Sequence, residues 1–440
     1  MAKIAWRGGT ANHLTVGPTG DHSTLQSALD AVASAGDAAP GNRYAITCQS
    51  FVEQVTAAVV DNNPHTDVVA EAAGGYVLEH AGTAGGGTLR IGSQELPSWT
   101  GVVEDKLYHG MRIVRSGFST SKAANPEGAV FVGAEETYPS SPNWNDIWII
   151  ACQIDGSHDA LQAFGTSPLG YPAGPVPKMF FYGNQIRCQH DSVALKGDAR
   201  FMSESNVIRV DPIGTGVSTY LTEPSPGWKQ TGFHFNSWRP SSSGDITARN
   251  PDAVFISNGD TVIIDGRTQH VGDLVGQGVV AGFYFYDVHT TADATRHLPA
   301  FITAPSIRVR LDDDGSGSTP VDLCGGVVVS GRNQEIAAGD LVISGGTIDV
   351  ESLSDTTNSP DNVDGVVVDC SHADTPGTLS TAQIAGSFIR CANAKTAGSA
   401  SSLRTTLADS RVEFAAVYSA SAADDSAGGD ITALAAVAVP

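Results

Sequence analysis

Leu14-Thr15-Val16-Gly17-Pro18-Thr19-Gly20-Asp21-His22, Ser23-Thr24-Leu25-Gln26-Ser27-Ala28-Leu29-Asp30-Ala31-Val32, Asn42-Arg43-Tyr44-Ala45-Ile46-Thr47 and Ser50-Phe51-Val52-Glu53-Gln54-Val55 follow one another in the segment that decides the fold. A strand and a Gly/Pro turn lead into a short helix, and strands follow it. Leu25, Ala28, Leu29 and Val32 recur at i, i+3, i+4 and i+7, so they make one apolar stripe, with Gln26, Ser27 and Asp30 toward water. Ser23 stands where an N-cap is expected. A tube of stacked strands needs such a helix over its first coil, because an open sheet end exposes unpaired backbone groups and apolar side chains.

Farther along, a six-residue pattern recurs: a small residue, a small or polar one, any residue, Ile or Val, a charged residue, and a small or apolar one. It reads Ala-Cys-Gln-Ile-Asp-Gly at 151–156, Gly-Asn-Gln-Ile-Arg-Cys at 183–188 and Ser-Asn-Val-Ile-Arg-Val at 205–210. It returns as Gly-Gly-Thr-Ile-Asp-Val at 345–350, Gly-Ser-Phe-Ile-Arg-Cys at 386–391 and Asp-Ser-Arg-Val-Glu-Phe at 409–414. Ile186 and Ile208 are 22 residues apart, Ile389 and Val412 are 23 apart, and Ile348 and Ile389 are 41 apart, close to two such steps. A coil of this size carries three short strands, with the aliphatic residue inside and its charged neighbour outside. Small residues ahead of the strand suit a tight corner.

The expected class is therefore all-β, a right-handed single-stranded parallel β-helix with an N-terminal capping helix and long loop excursions. Ile154, Ile186, Ile208, Ile348, Ile389 and Val412 are expected to stack as one inward ladder. A leucine-rich repeat would need leucines at fixed offsets, and an antiparallel sandwich would show turn signals about every 8–12 residues without this recurrence. Residues 1–13 read as an N-terminal arm, 14–60 as capping helix and first coil, and 61–418 as the β-helix. The repeat breaks into Pro, Gly, Ser and aromatic residues near 157–178 and 215–250, which read as excursions, and 419–440 as a tail or closing cap.

Composition agrees with a repeat array. The 440 residues include 49 glycines and only 16% charged side chains, which suits many short strands separated by turns. A net charge of −22 opposes a nucleic-acid partner, which requires a basic face. No window holds the roughly 18 consecutive apolar residues of a membrane span. The start of the chain lacks an apolar core of signal-peptide length, so synthesis in a cytoplasm without export by that route is expected. Cys48, Cys152, Cys188, Cys324, Cys370 and Cys391 are far apart in sequence and read as small core residues.

At Thr24, Leu25, Gln26, Ala28, Leu29, Arg43, Tyr44 and Ile46 the chain resembles the pectin methylesterase family of the pectin lyase-like superfamily, over about 40 residues. The resemblance implies a right-handed parallel β-helix. That family uses two aspartates and an arginine on the outer face of a parallel sheet. Asp191-Ser-Val-Ala-Leu-Lys196 resembles its Gln-Ala-Val-Ala-Leu-Arg run, with Asp191 in the glutamine place and Asp198 and Phe201 near their expected positions. In Ala253-Val-Phe-Ile-Ser-Asn258, however, Val254 stands where the nucleophilic aspartate belongs. Valine cannot attack a carbonyl, so the resemblance implies the scaffold and not the esterase.

Other residues could carry chemistry. Asp155 and Asp159, four apart beside His158, and Glu204 with Asp211 are weak catalytic candidates, since a glycosidase needs two carboxylates roughly 5 to 9.5 Å apart. Solvated turns are their ordinary role. Asp312, Asp314 and Ser316 have the spacing of half a calcium loop, but Leu323 stands where its closing acid belongs, so no metal is expected. Trp144, Trp148, Trp228, Phe233, Phe235 and Trp238 crowd into or beside the irregular segments. Trp148, Trp228, His234, Trp238 and Arg239 form the expected carbohydrate-binding set. The competing role for these aromatics is to pin long loops to the coil wall or to fill a subunit interface. No nucleophile elbow, zinc-protease helix or phosphate loop is present, and no cofactor is expected.

In architecture the chain resembles phage tailspikes, which implies a homotrimer assembled with other virion proteins and binding host-surface polysaccharide. The expected function is a virion tailspike or tail fibre. A capsid decoration protein of the same fold, or a polysaccharide lyase, hydrolase or esterase, are the alternatives.

Overall fold

The computed structural model describes residues 12–81, 87–92, 101–116, 128–133, 144–156, 159–165, 176–188, 191–210, 229–236, 250–267, 278–288, 295–296, 298–312, 321–332, 334–335, 340–357, 359–371, 380–405, 407, 409–419, 424–425 and 430–435. Within them the chain winds as a right-handed parallel β-helix. Each full coil contributes one strand to each of three sheets, and Asn12–Val16 and Asp430–Ala435 extend the first at its two ends, giving 13, 11 and 11 strands with every ladder parallel. In the order the chain meets them, Tyr44–Cys48 belongs to the first sheet, Phe51–Val55 to the second and Val59–Asp61 to the third.

The helix Leu25–Ala35 closes the first coil, with Leu25, Ala28, Leu29 and Val32 buried beneath it. Its N-cap is Thr24, not Ser23: Thr24 is the extended residue, and its hydroxyl accepts from the Ser27 N–H at 3.2 Å. Glu53 adds a second cap, because both its carboxylate oxygens accept from the Leu25 N–H, at 3.1 and 2.9 Å. Thr24→Ala should cost about 1 kcal/mol, read as a shift of the urea midpoint at unchanged slope. An unshifted midpoint would mean that Glu53 alone satisfies the helix start.

The corner between the first and second sheets takes two residues in most coils. Its first residue is left-handed: Gly110, Ala151, Gly183, Ser205, Gly259, Ala304, Gly345 and Gly386 have φ of 68°, 52°, 61°, 55°, 64°, 48°, 65° and 66°. The recurring small residue of the sequence pattern is this corner, where a Cβ is disfavoured. The second corner residue forms a buried polar ladder. Asn184 accepts from the Cys152 N–H (2.9 Å), Asn206 from the Asn184 N–H (2.8 Å), and Asp260 from the Asn206 N–H (2.8 Å).

Beyond that corner, Ile154, Ile186 and Ile208 stack in register in the second sheet, followed by Val262, Ile307, Ile348 and Ile389. Val412 does not belong to this ladder. It lies in the first sheet opposite Ala382, and the second-sheet partner of Ile389 is Ser419. An inward aliphatic residue between outward charged ones is common to strands of either sheet, so the local pattern did not identify the sheet.

The connections on both sides of the third sheet vary in length. Strands Asp159–Phe164 and Lys229–Asn236 lie within the stretches 157–178 and 215–250, so neither stretch is an unbroken excursion. Alternation explains this: Leu161 and Ala163, and Phe233 and Phe235, point inward and are buried. Phe181, Phe201, Phe233, Phe255, Phe283 and Phe285 fill the middle of the tube, with Phe233 stacked on Phe283 at 4.8 Å and Phe235 on Phe285 at 4.6 Å. Strand pairing continues to Asp430–Ala435, which adds to the first sheet beside Ser410–Ala415. All six cysteines are buried, and burial pushes the Cys152 thiol up to about 12. No helix among the described residues is long and apolar enough to cross a membrane.

Candidate functional site

Titratable groups gather on the outer face of the third sheet. With Val193, Leu195, Phe233 and Phe235 inside, alternation turns Ala194, Lys196 and His234 outward, and Ala194, His234 and Tyr284 are neighbours in register. His234 Nδ1 lies 2.8 Å from Asp191 Oδ2, and Thr231 Oγ1 donates to Asp191 Oδ1 at 2.5 Å. The Asp191 N–H donates to Asp159 Oδ1 at 3.1 Å, and Gln162 Nε2 donates to Asp159 Oδ2 at 2.5 Å. Lys196 Nζ donates to Gln162 Oε1 at 3.3 Å and sits 5.2 Å from the centre of the Phe164 ring. The His234 ring stacks on Tyr284 at 5.3 Å. All of these side chains are buried, and burial raises the Tyr284 phenol well above its ordinary value, so it keeps its proton.

An ionised carboxylate only accepts, so with Asp191 ionised the 2.8 Å contact is made by the Nδ1–H of His234. A histidine oriented in this way is the acid–base element of many enzymes, since the partner carboxylate also stabilises the imidazolium. Asp198 does not join the group. Its Oδ2 accepts from the Asn250 N–H at 2.8 Å, which ties a connection back to the tube.

The other expected residues are dispersed. Asp155 is on the second sheet, paired with Arg112 at 2.8 Å, whereas Asp159 is on the third. Glu204 is exposed at the end of the first-sheet strand Arg200–Glu204. Trp148 is outward-facing on the first sheet, between buried Ile147 and Ile149. Phe180 stacks on one face of its indole at 3.8 Å, and its Nε1 donates to Asp146 at 2.8 Å. That face is closed to a sugar ring, and Trp148 and His234 do not share a site. Trp144 is buried and donates to the Phe164 carbonyl at 2.6 Å. Asp312 is exposed and accepts from Ser354 at 2.9 Å. His158, Asp211, Trp228, Trp238, Arg239, Asp314 and Ser316 lie outside the described residues.

Reading residues singly missed the Asp191–His234 pair, which lie 43 positions apart. The available signal was that Asp-Ser-Val-Ala-Leu-Lys and Thr-Gly-Phe-His-Phe-Asn share one alternation of inward apolar residues, which places Ala194 and His234 on the same outward row.

No protein family profile and no curated protein matches the chain. Among solved structures, the A-module of the mannuronan C-5 epimerase AlgE6 of Azotobacter vinelandii aligns over 94% of this chain and 95% of that one, with 12% identity and a TM-score of 0.33.

Proposed function

We propose that the chain binds an extended polysaccharide along the outer face of the third sheet, and that His234, held by Asp191, exchanges a proton with it. The 2.8 Å contact between His234 Nδ1 and Asp191 carries this reading. Its supporting context is the polar cluster of Asp159, Gln162, Asp191, Lys196, Thr231 and His234, on the one sheet bordered on both sides by connections of variable length. Loops of that kind carry binding residues on a rigid scaffold. The fold itself favours no single activity. The biological setting we propose is host-surface recognition by a phage tailspike or tail fibre acting as a homotrimer.

The test is incubation with host-surface polysaccharides, read as new reducing ends, unsaturated products or released acyl groups. Asp191→Asn and His234→Gln should each lower product formation about 100-fold or more while glycan affinity by calorimetry changes only slightly. Equal turnover in both variants would remove the acid–base role, and failure to bind any glycan would remove the site. Antibody-labelled electron microscopy of particles tests the setting: label on tails supports it, and label on heads points instead to capsid decoration.

A further inference from the structure

The inward row of the first sheet is apolar at Ile147, Met179, Phe201 and Phe255, but one rung earlier it holds Lys106. Lys106 is fully buried, as is Asp61, the last residue of the third-sheet strand Val59–Asp61. Lys106 Nζ lies 2.5 Å from Asp61 Oδ2 and donates to the Asn63 carbonyl at 2.7 Å. The Asp61 carboxyl is held from both sides: Tyr108 donates its hydroxyl to Oδ2 at 2.6 Å, and the Asn63 N–H donates to Oδ1 at 3.1 Å. Replacing a buried ion pair by packed apolar groups is often neutral or stabilising, so stability alone does not account for these residues here.

We propose that Lys106 and Asp61 join through an amide bond between Nζ and Cγ, stapling the first coils of the tube from inside. In the first step one proton passes from Nζ to the carboxyl, which gives a neutral amine beside a neutral acid, with no net charge left in the water-free interior. Burial pushes the Lys106 amine toward its unprotonated form, against the pull of Asp61, and keeps Tyr108 protonated. The Nζ lone pair attacks Asp61 Cγ, and the charge that develops on Oδ1 faces the Asn63 N–H. Oδ2 carries one proton from the first transfer and takes a second from the attacking nitrogen by way of the Tyr108 hydroxyl. The Cγ–Oδ2 bond then breaks and one water leaves. Amine and carboxylic acid become amide and water, with no oxidant, reductant or other reactant. The link closes a loop from 61 to 106 and would hinder unwinding from the end capped by the helix, as cross-links do by constraining the unfolded chain.

The experiment is intact-mass spectrometry of the denatured full chain, followed by tandem spectrometry of a tryptic digest. The expected mass is one water below that of the sequence, after allowance for the initiator methionine. The digest should contain the peptides bearing Asp61 and Lys106 joined, with no cleavage after Lys106. Lys106→Arg, which retains the charge, should return the full sequence mass. Wild-type chain at full sequence mass, or a lighter chain without the joined peptides, would overturn the proposal. Because the decisive measurement uses unaltered protein, a variant that fails to fold does not affect it.

Discussion

Gly326→Val should destabilise the tube by about 3 kcal/mol or more, the upper part of the range for overpacking a close-packed interior. A Cβ at Gly326 would stand 2.2 Å from Ile348 Cγ2 and 2.6 Å from the Gly365 carbonyl oxygen of the next rung. Neither neighbour can yield easily, because Ile348 is fixed in the stacked aliphatic ladder and Gly365 belongs to a parallel strand pair. The same collision recurs along the tube: Gly232 meets Val262 at 2.4 Å, Gly282 meets Ile307 at 2.6 Å and Gly365 meets Ile389 at 2.3 Å. A column of glycines in the third sheet thus lies against the aliphatic column of the second, and the tube closes at that line by backbone contact. Gly326→Ala should already cost more than Gly183→Ala, where a Cβ meets nothing within 4 Å and only the left-handed φ of 61° opposes it, worth about 1–2 kcal/mol. Urea unfolding followed by circular dichroism measures both. A Gly326→Ala loss no larger than that of Gly183→Ala would mean that the two columns can separate. Ile348→Ala, which removes the Cγ2 that the new Cβ would meet, should cost less in the Gly326→Ala background than in wild type, with the relief only partial because the carbonyl contact remains.

That glycine column was not legible in the sequence, whereas the aliphatic column largely was. Ile154, Ile186, Ile208, Ile348 and Ile389 each follow a constant two-residue corner, so a local pattern recurs ahead of each of them. Gly232, Gly282, Gly326 and Gly365 follow connections whose lengths differ from coil to coil, so no period links them. The candidate site was legible only in its separate members for the same reason. Asp191 emerges from its resemblance to a family run, and His234 from its aromatic surroundings. Their contact depends on the register of Asp191–Lys196 against Lys229–Asn236, which no short window contains. Trp148 shows the converse case. Alternation gave its outward direction, but its stack on Phe180 depends on which strand lies beside it. Val412 was misplaced because its alternation is sound while its sheet is set by distant pairing.

Asn206→Leu should cost about 3–5 kcal/mol, the sum of several buried polar groups left without partners at nearly unchanged volume. Asn206 Oδ1 accepts from the backbone N–H and the side chain of Asn184, at 2.8 and 2.9 Å. Its Nδ2 donates to the Phe181 carbonyl at 2.7 Å, to Ser203 at 2.8 Å and to Asp260 at 2.9 Å. Leucine supplies none of these, so a buried N–H, a buried carbonyl and one side of a buried carboxyl lose their partners together. Asp260→Asn should act in the opposite sense. Burial raises the Asp260 carboxyl above its usual range, against the lowering effect of its bonds from Ser257, Ser203 and Asn206. A raised acid binds its proton more tightly when folded, so its contribution is complete below the ordinary carboxylate range and is lost as pH rises through the raised value. Asparagine can still accept from Asn206 and can donate to Ser257, without that charge. Relative to wild type, Asp260→Asn should therefore gain stability as pH rises from the acid range to neutrality, measured as the difference in unfolding free energy at the two ends. A difference that stayed flat with pH would show that the ladder holds Asp260 ionised, with the Asn206 amide balancing its burial.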